Sequence, residues 1–290
     1  MTDELTGDGR FANLSGADYR VRIEGKSDRV VLMIHGWPDD GRLWRNQVAS
    51  IVGAGYTVVA PDLLGYGESD VPEDPSRCSA AAMAHDLLSL IELLSPSETH
   101  LVAHDYGALV AWDMVFEAPN AFASFAALSV GHPTPLAELS FENLRYHWYI
   151  ALANSAVGPQ LYTAANGTFM RLITRQHPDG NDIVDHVVKY PKRVEAMRQF
   201  EMSMPLAEVL LAGLNGQLPD PSKCTVPTLG LWGEDEDVLP ERQMTETEFY
   251  VDAAWNYYKV PEGGHWMMLT NPKFVTEKVG AWIDQHSAPK

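Results

Sequence analysis

The chain has 290 residues, 39 acidic and 21 basic, for a formal net charge of −18. An acidic excess of that size argues against nucleic acid and anionic membrane as partners, since both are themselves negatively charged. At 46% hydrophobic and 21% charged residues the chain can bury an ordinary core, and its length suits one large domain or a core carrying an insertion. Two cysteines, Cys78 and Cys224, lack metal or redox spacing, so inert buried thiols are expected. The opening MTDELTGDGRF has no basic or apolar targeting pattern, and no run of ~18 apolar residues occurs, so a cytoplasmic protein without a membrane span is expected.

Residues 19–24 (YRVRIE) alternate in the manner of an antiparallel strand. Residues 29–34 (RVVLMI) predict a buried strand that stops at His35-Gly36-Trp37-Pro38, with a helix over 44–51. A second buried strand, 55–60, runs into a loop from Pro61 to Asp70. Met83, Leu87, Leu88, Ile91 and Leu94 recur at helical spacing within 79–94. Residues 100–103 climb as a strand to His104-Asp105-Tyr106-Gly107, a helix follows over 108–117, and 123–130 predict another short strand. Strand and helix alternate throughout, which predicts an α/β architecture with a parallel sheet covered on both faces.

From Gly131 to about Ser222 strand-like runs vanish, helical spacing takes over and aromatics become frequent, among them Trp148, Tyr149, Tyr162 and Phe200. This block reads as a lid. The predicted division is a first core part over 1–131, a helical cap over 132–222 and a second core part over 223–290. Strand signals return at 226–232, ending in the acidic run Glu234-Asp235-Glu236-Asp237, and at 254–260, leading to Gly263-Gly264-His265-Trp266. An amphipathic helix over 274–285 closes the chain.

Asp105 stands between the small residues Ala103 and Gly107 where a strand turns into a helix, which suits a sharp turn presenting a nucleophile. The competing reading is an aspartate capping the helix that begins at Tyr106. Asp105, the cluster Glu234 to Asp237, and His265 each follow a predicted strand, the edge at which α/β sheets place ligands. Their order along the chain is nucleophile, acid, histidine.

With those motifs in place the sequence resembles the α/β-hydrolase superfamily, in its epoxide hydrolase and haloalkane or haloacetate dehalogenase branch. The matching residues are His35-Gly36-Trp37-Pro38 for the H-G-x-P loop and Asp62 to Asp70 for D-x-x-G-x-G-x-S-D. His104-Asp105-Tyr106-Gly107 matches H-D-x-G, and Gly264-His265 the terminal G-H. The resemblance implies an α/β-hydrolase fold: a mostly parallel central sheet flanked by helices, with an inserted helical cap. A carboxylate nucleophile makes chemical sense against a strained or activated sp³ carbon, where it forms an alkyl ester that water can cleave. Asp105 would be that nucleophile and His265 the base on the water. The N–H groups of Trp37 and Tyr106 would receive the oxyanion. The family's acid position falls on Glu236, with Asp237 as second choice.

Tyr149 aligns with the first of two cap tyrosines that donate to the epoxide oxygen in epoxide hydrolases. At the place of the second, Arg198-Gln199-Phe200-Glu201 has none. Tyr162 and Tyr190 are substitutes better suited to packing. His35, Trp148, Phe200 and Trp266 complete the expected substrate contacts, with Tyr146-His147-Trp148 resembling a halide-binding pair of the haloacetate branch. The expected activity is therefore cofactor-free, metal-free opening of an apolar or aromatic epoxide to a diol. Dehalogenation through the same aspartate is the first alternative, and a non-hydrolytic protein that binds or rearranges its ligand is the second. A homodimer is left open.

Overall fold

Burial on both faces explains why the central strands read as unbroken apolar runs. The computed structural model describes residues 10–138, 140–204, 211–212, 214–215, 217 and 220–289, and places eight strands in one sheet in the order β1-β2-β4-β3-β5-β6-β7-β8. These are β1 (Arg10–Leu14), β2 (Ala17–Glu24), β3 (Arg29–Ile34), β4 (Thr57–Pro61), β5 (Glu98–His104), β6 (Ser124–Leu128), β7 (Thr228–Gly233) and β8 (Trp255–Val260). β1 and β2 form an antiparallel hairpin, β2 lies antiparallel to β4, and every other pairing is parallel. This is the expected fold class, with one strand more at the edge. β1 went unassigned because only the Ser15-Gly16 dipeptide marks it; both residues turn the hairpin at positive φ. Most of the opening segment, residues 1–9, lies outside the described residues.

The period of two in β3 sorts its side chains between two cores. Val30, Leu32 and Ile34 join the cluster beneath α2 (Ala80–Leu94) and α3 (Tyr106–Glu117), whereas Val31 and Met33 join Trp44, Trp266, Val279 and Trp282 on the opposite face. α2 starts where the Ser79 hydroxyl accepts the Ala82 N–H and stops at Ser95, whose left-handed φ of 46° ends the repeat. Of the residues its spacing singles out, Met83, Leu87 and Ile91 are buried, joined by Leu90, while Leu88 and Leu94 are only partly buried at the margin of the stripe. Cys78 and Cys224 are buried and unpaired, and burial pushes the Cys78 thiol up to about 11.

Between β6 and β7 the described chain is helical, from α4 (Pro133–Ala137) to α10 (Pro191–Met202), where a lid was expected. The stretch up to 222 falls partly outside the described residues. His132, at the start of this insertion, is held by its Thr134 and Ser222 hydrogen bonds and stacks on Tyr250 at 4.6 Å. Asp62 anchors the loop after β4. Its buried carboxylate accepts the Gly41 and Glu68 N–H groups at 2.8 and 2.9 Å and pairs with Arg22. A Cβ on Gly67 would lie 2.0 Å from that carboxylate, so the second glycine of the motif is a requirement of close approach. Among the described residues no helix is long and apolar enough to cross a membrane.

Candidate active site

The chain leaves β5 at His104 and enters α3 at Tyr106, so Asp105 alone makes the turn. It does so at φ 52°, ψ −127°, a conformation an L residue holds only when its surroundings impose it. Glycines supply the room. A Cβ on Gly107 would sit 2.2 Å from the His35 carbonyl oxygen, and one on Gly36 would sit 2.4 Å from the Cβ of Asp105. The carboxylate makes no capping bond to α3, which removes the capping alternative. Instead Oδ1 accepts the Trp37 N–H at 2.8 Å, and Oδ2 faces His265 Nε2 at 3.4 Å.

His265 follows β8, and its Nδ1 lies 2.8 Å from Glu236 Oε2, on the loop after β7. The other Glu236 oxygen accepts the Val238 N–H at 2.8 Å, which fixes the carboxylate plane. Burial alone would lower the His265 pKa, but the charge of Glu236 and the bond to Asp105 outweigh it and raise it to about 10. Burial likewise works against the Asp105 charge, yet His265 holds that carboxyl below its ordinary range. Each of the two groups thus favours the charged form of the other. Beneath it, His104 Nε2 bonds the His265 carbonyl at 2.9 Å, and burial drops the His104 pKa to about 3. Its ring is neutral and braces the histidine loop.

Residues 29–272 match the family described as alpha/beta hydrolase fold. The chain belongs to that family. Over 280 residues it is 26% identical to the AB hydrolase superfamily protein YfhM of Bacillus subtilis, spanning 93% of this chain and 96% of that one. A stretch of 147 residues is 35% identical to an epoxide hydrolase of Caballeronia sordidicola, covering 50% of this chain and 44% of that one. The fold superposes with a TM-score of 0.83 on a solved structure described among novel epoxide hydrolases from metagenomes of hot environments, at 21% identity over 96% of this chain and 99% of that one. Within the family, the likeness is to the epoxide hydrolase branch.

In this α/β hydrolase a narrow cavity opens onto Asp105 and His265. Trp37, Tyr106 and Trp266 line its core side, and Tyr149 and Ile173 face them from the helical insertion. Tyr149 is buried and, among the described residues, its hydroxyl has no hydrogen-bond partner. Burial, with the charge of Asp105, pushes its phenol well above the ordinary value, so the proton stays on and is available to donate.

Four expected contacts are placed elsewhere. Asp237 pairs with Arg175 and points away from His265, because Glu236 takes the inward position of the turn. His35 spends both ring nitrogens on backbone, the Leu63 N–H at 2.9 Å and the Gly36 carbonyl at 2.8 Å, and so braces its loop rather than reaching the cavity. Trp148 is 43% exposed and packs its edge on Phe169, outside the cavity, because the insertion turns that face of the helix Trp148–Ala153 to solvent. Phe200 is fully buried behind Tyr106, stacked at 4.6 Å and 14°. Tyr190 is half exposed.

Glu201 is the residue that sequence reasoning passed over. It is buried in the insertion, and both Tyr106 and Tyr162 donate to it, Tyr106 at 3.0 Å. Burial raises its pKa to about 8 despite those two bonds. Arg198 cannot neutralise it fully, being committed to Glu195 at 2.6 Å. A signal was available: Val194, Met197 and Glu201 follow the i, i+3, i+7 spacing of the buried stripe of α10.

Proposed function

We propose that this protein is an epoxide hydrolase that opens a largely apolar epoxide to a diol through an alkyl ester on Asp105. The observation that carries the reading is an Asp105 carboxylate with one oxygen accepting the Trp37 N–H and the other facing His265, in a cavity that the unpartnered Tyr149 also lines. Oδ2 attacks an epoxide carbon, the C–O bond of the ring breaks, and Tyr149 protonates the oxygen that is released. Tyr149 recovers its proton from solvent or from the imidazolium. Once Asp105 is esterified its charge is gone, so His265 loses part of what held its pKa up and becomes able to take a proton from water. That water adds to the ester carbon. The Trp37 and Tyr106 N–H groups receive the oxyanion on Oδ1; the bond from carbon to Oδ2 then breaks, the departing alkoxide takes the proton of the newly added hydroxyl, and the diol leaves with Asp105 again a carboxylate. The insertion acts as the cap that brings Tyr149 over the nucleophile. The epoxide hydrolase relatives support this reading, and the mostly apolar and aromatic lining of the cavity favours an apolar substrate.

The deciding experiment is intact-protein mass of a His265→Ala variant incubated in parallel with epoxides and with organohalides. Removal of the base strands the ester, so a gain of the full epoxide mass is expected, and none is expected in an Asp105→Asn control. An adduct only from the halides, lacking the elements of hydrogen halide, would move the reading to a dehalogenase.

Tyr149→Phe keeps the ring and removes the donor. Alkylation by epoxide is expected to slow on the order of 10²-fold, with hydrolysis of the preformed ester little changed. Pre-steady-state mass measurements separate the two steps, and an unaltered alkylation rate would remove Tyr149 from the mechanism.

A further inference from the structure

One turn of the insertion, residues 175–179, touches three loops around the site, those that follow β3, β7 and β8. Gln176 Nε2 donates to the Asp235 carbonyl at 2.9 Å, next to Glu236, and Gln176 Oε1 accepts the His265 N–H at 3.2 Å. His177 Nε2 meets Asp39 Oδ1 at 3.0 Å, and the other Asp39 oxygen accepts the Trp266 indole N–H at 2.8 Å. The Asp179 N–H donates to His177 Nδ1 at 2.9 Å, so the ring proton lies on Nε2 and is given to Asp39. Arg175 and Asp179 add outer ion pairs to Asp237 and Arg45. Those outer pairs are solvent-accessible and contribute little.

Gln176 differs from its neighbours in bonding the histidine loop and the acid loop at once. A Cβ on Gly264 would lie 2.3 Å from its Oε1, so the chain before His265 is shaped to admit this amide. The two loops are also joined main chain to main chain by the Asp235 N–H and the Gly263 carbonyl at 2.8 Å; Gln176 adds a second tie, from Asp235 to the N–H of His265 itself. The Nδ1 to Glu236 distance of 2.8 Å and the Nε2 to Asp105 distance of 3.4 Å both depend on that relative placement.

We propose that Gln176 is a positioning residue for the hydrolytic half of the reaction: it clamps the His265 loop to the Glu236 loop, so that seating of the insertion and alignment of the base are one event. The proposal rests on the reading that His265 activates water against an ester on Asp105. Alkylation needs only Asp105 and Tyr149, whereas hydrolysis needs a correctly aimed His265, so the clamp acts on the second step alone.

The test compares wild type, Gln176→Met and Arg175→Gln by rapid-quench intact mass with an epoxide, and by the downfield proton resonance of the His265–Glu236 hydrogen bond. Met keeps the length of Gln and removes both bonds. In Gln176→Met, ester hydrolysis is expected to slow on the order of 10-fold, alkylation to stay within about 2-fold, ester to accumulate and the resonance to broaden. The melting temperature is expected to change little. Arg175→Gln, which loses only an outer ion pair, is expected to match wild type in every readout. Equal loss of both steps, or unchanged hydrolysis with an unchanged resonance, would overturn the proposal. A parallel His265→Ala sample that forms no ester would instead refute the mechanistic reading, and the resonance alone would then decide whether Gln176 aligns the histidine.

Discussion

Epoxide turnover is expected to fall on the order of 10⁴-fold or more in Asp105→Asn, with the fold intact. Asparagine tolerates the φ of 52° at least as well as aspartate, and its carbonyl oxygen can still accept the Trp37 N–H. What disappears is the negative charge, and with it both the nucleophile and one of the two anions that hold the His265 proton. The His265 pKa is therefore expected to drop from its raised value toward the ordinary range, where Glu236 alone supports it. Turnover, intact mass and thermal melting together check this result. Activity within about 10-fold of wild type would mean that water attacks the substrate directly, without an ester.

The second large effect concerns stability and falls on Glu201. An unfolded chain releases this proton near the ordinary glutamate value of 4.5, whereas the folded protein keeps it to about 8. Between those values the folded state binds the extra proton, so stability is fullest below the lower value and declines as pH rises through the window. The slope is about 1.4 kcal/mol per pH unit from this group alone. Glu201→Gln has no proton to lose and its amide can still engage Tyr106 and Tyr162, so its stability lacks that slope. At pH 5 the two proteins are expected to melt together, and at pH 8 the variant is expected to melt higher by on the order of 5 °C. Equal melting temperatures at both values would show that Glu201 is ionised in the folded state.

The fold was largely legible because its strands are buried on both faces and therefore appear as short apolar runs bounded by turns. The edge strand β1 escaped because RFANL has neither the run nor the alternation. On the core side, Asp105, Glu236 and His265 were legible because each follows a strand at the same sheet edge, and their placement there is a matter of topology. Legibility declined in the insertion. Its helices are short, Trp148–Ala153 having six residues, so helical spacing cannot say which side meets the cavity and which meets solvent. That is why Trp148 was expected inside while Glu201 and Gln176 went unnoticed. The significance of Gln176 lies wholly in loops some 60 and 90 residues away in sequence, |i−j| being 59 and 89, and no local pattern encodes such partners.

The two oxygens of Asp105 occupy unlike places, one fastened by the Trp37 N–H and one facing His265 at the cavity. On the proposed mechanism only the second is ever given away. It departs with the diol, and solvent supplies its replacement when the ester carbon is attacked. The side chain is therefore a reagent rebuilt from water at every cycle, with one permanent atom and one that is continually renewed.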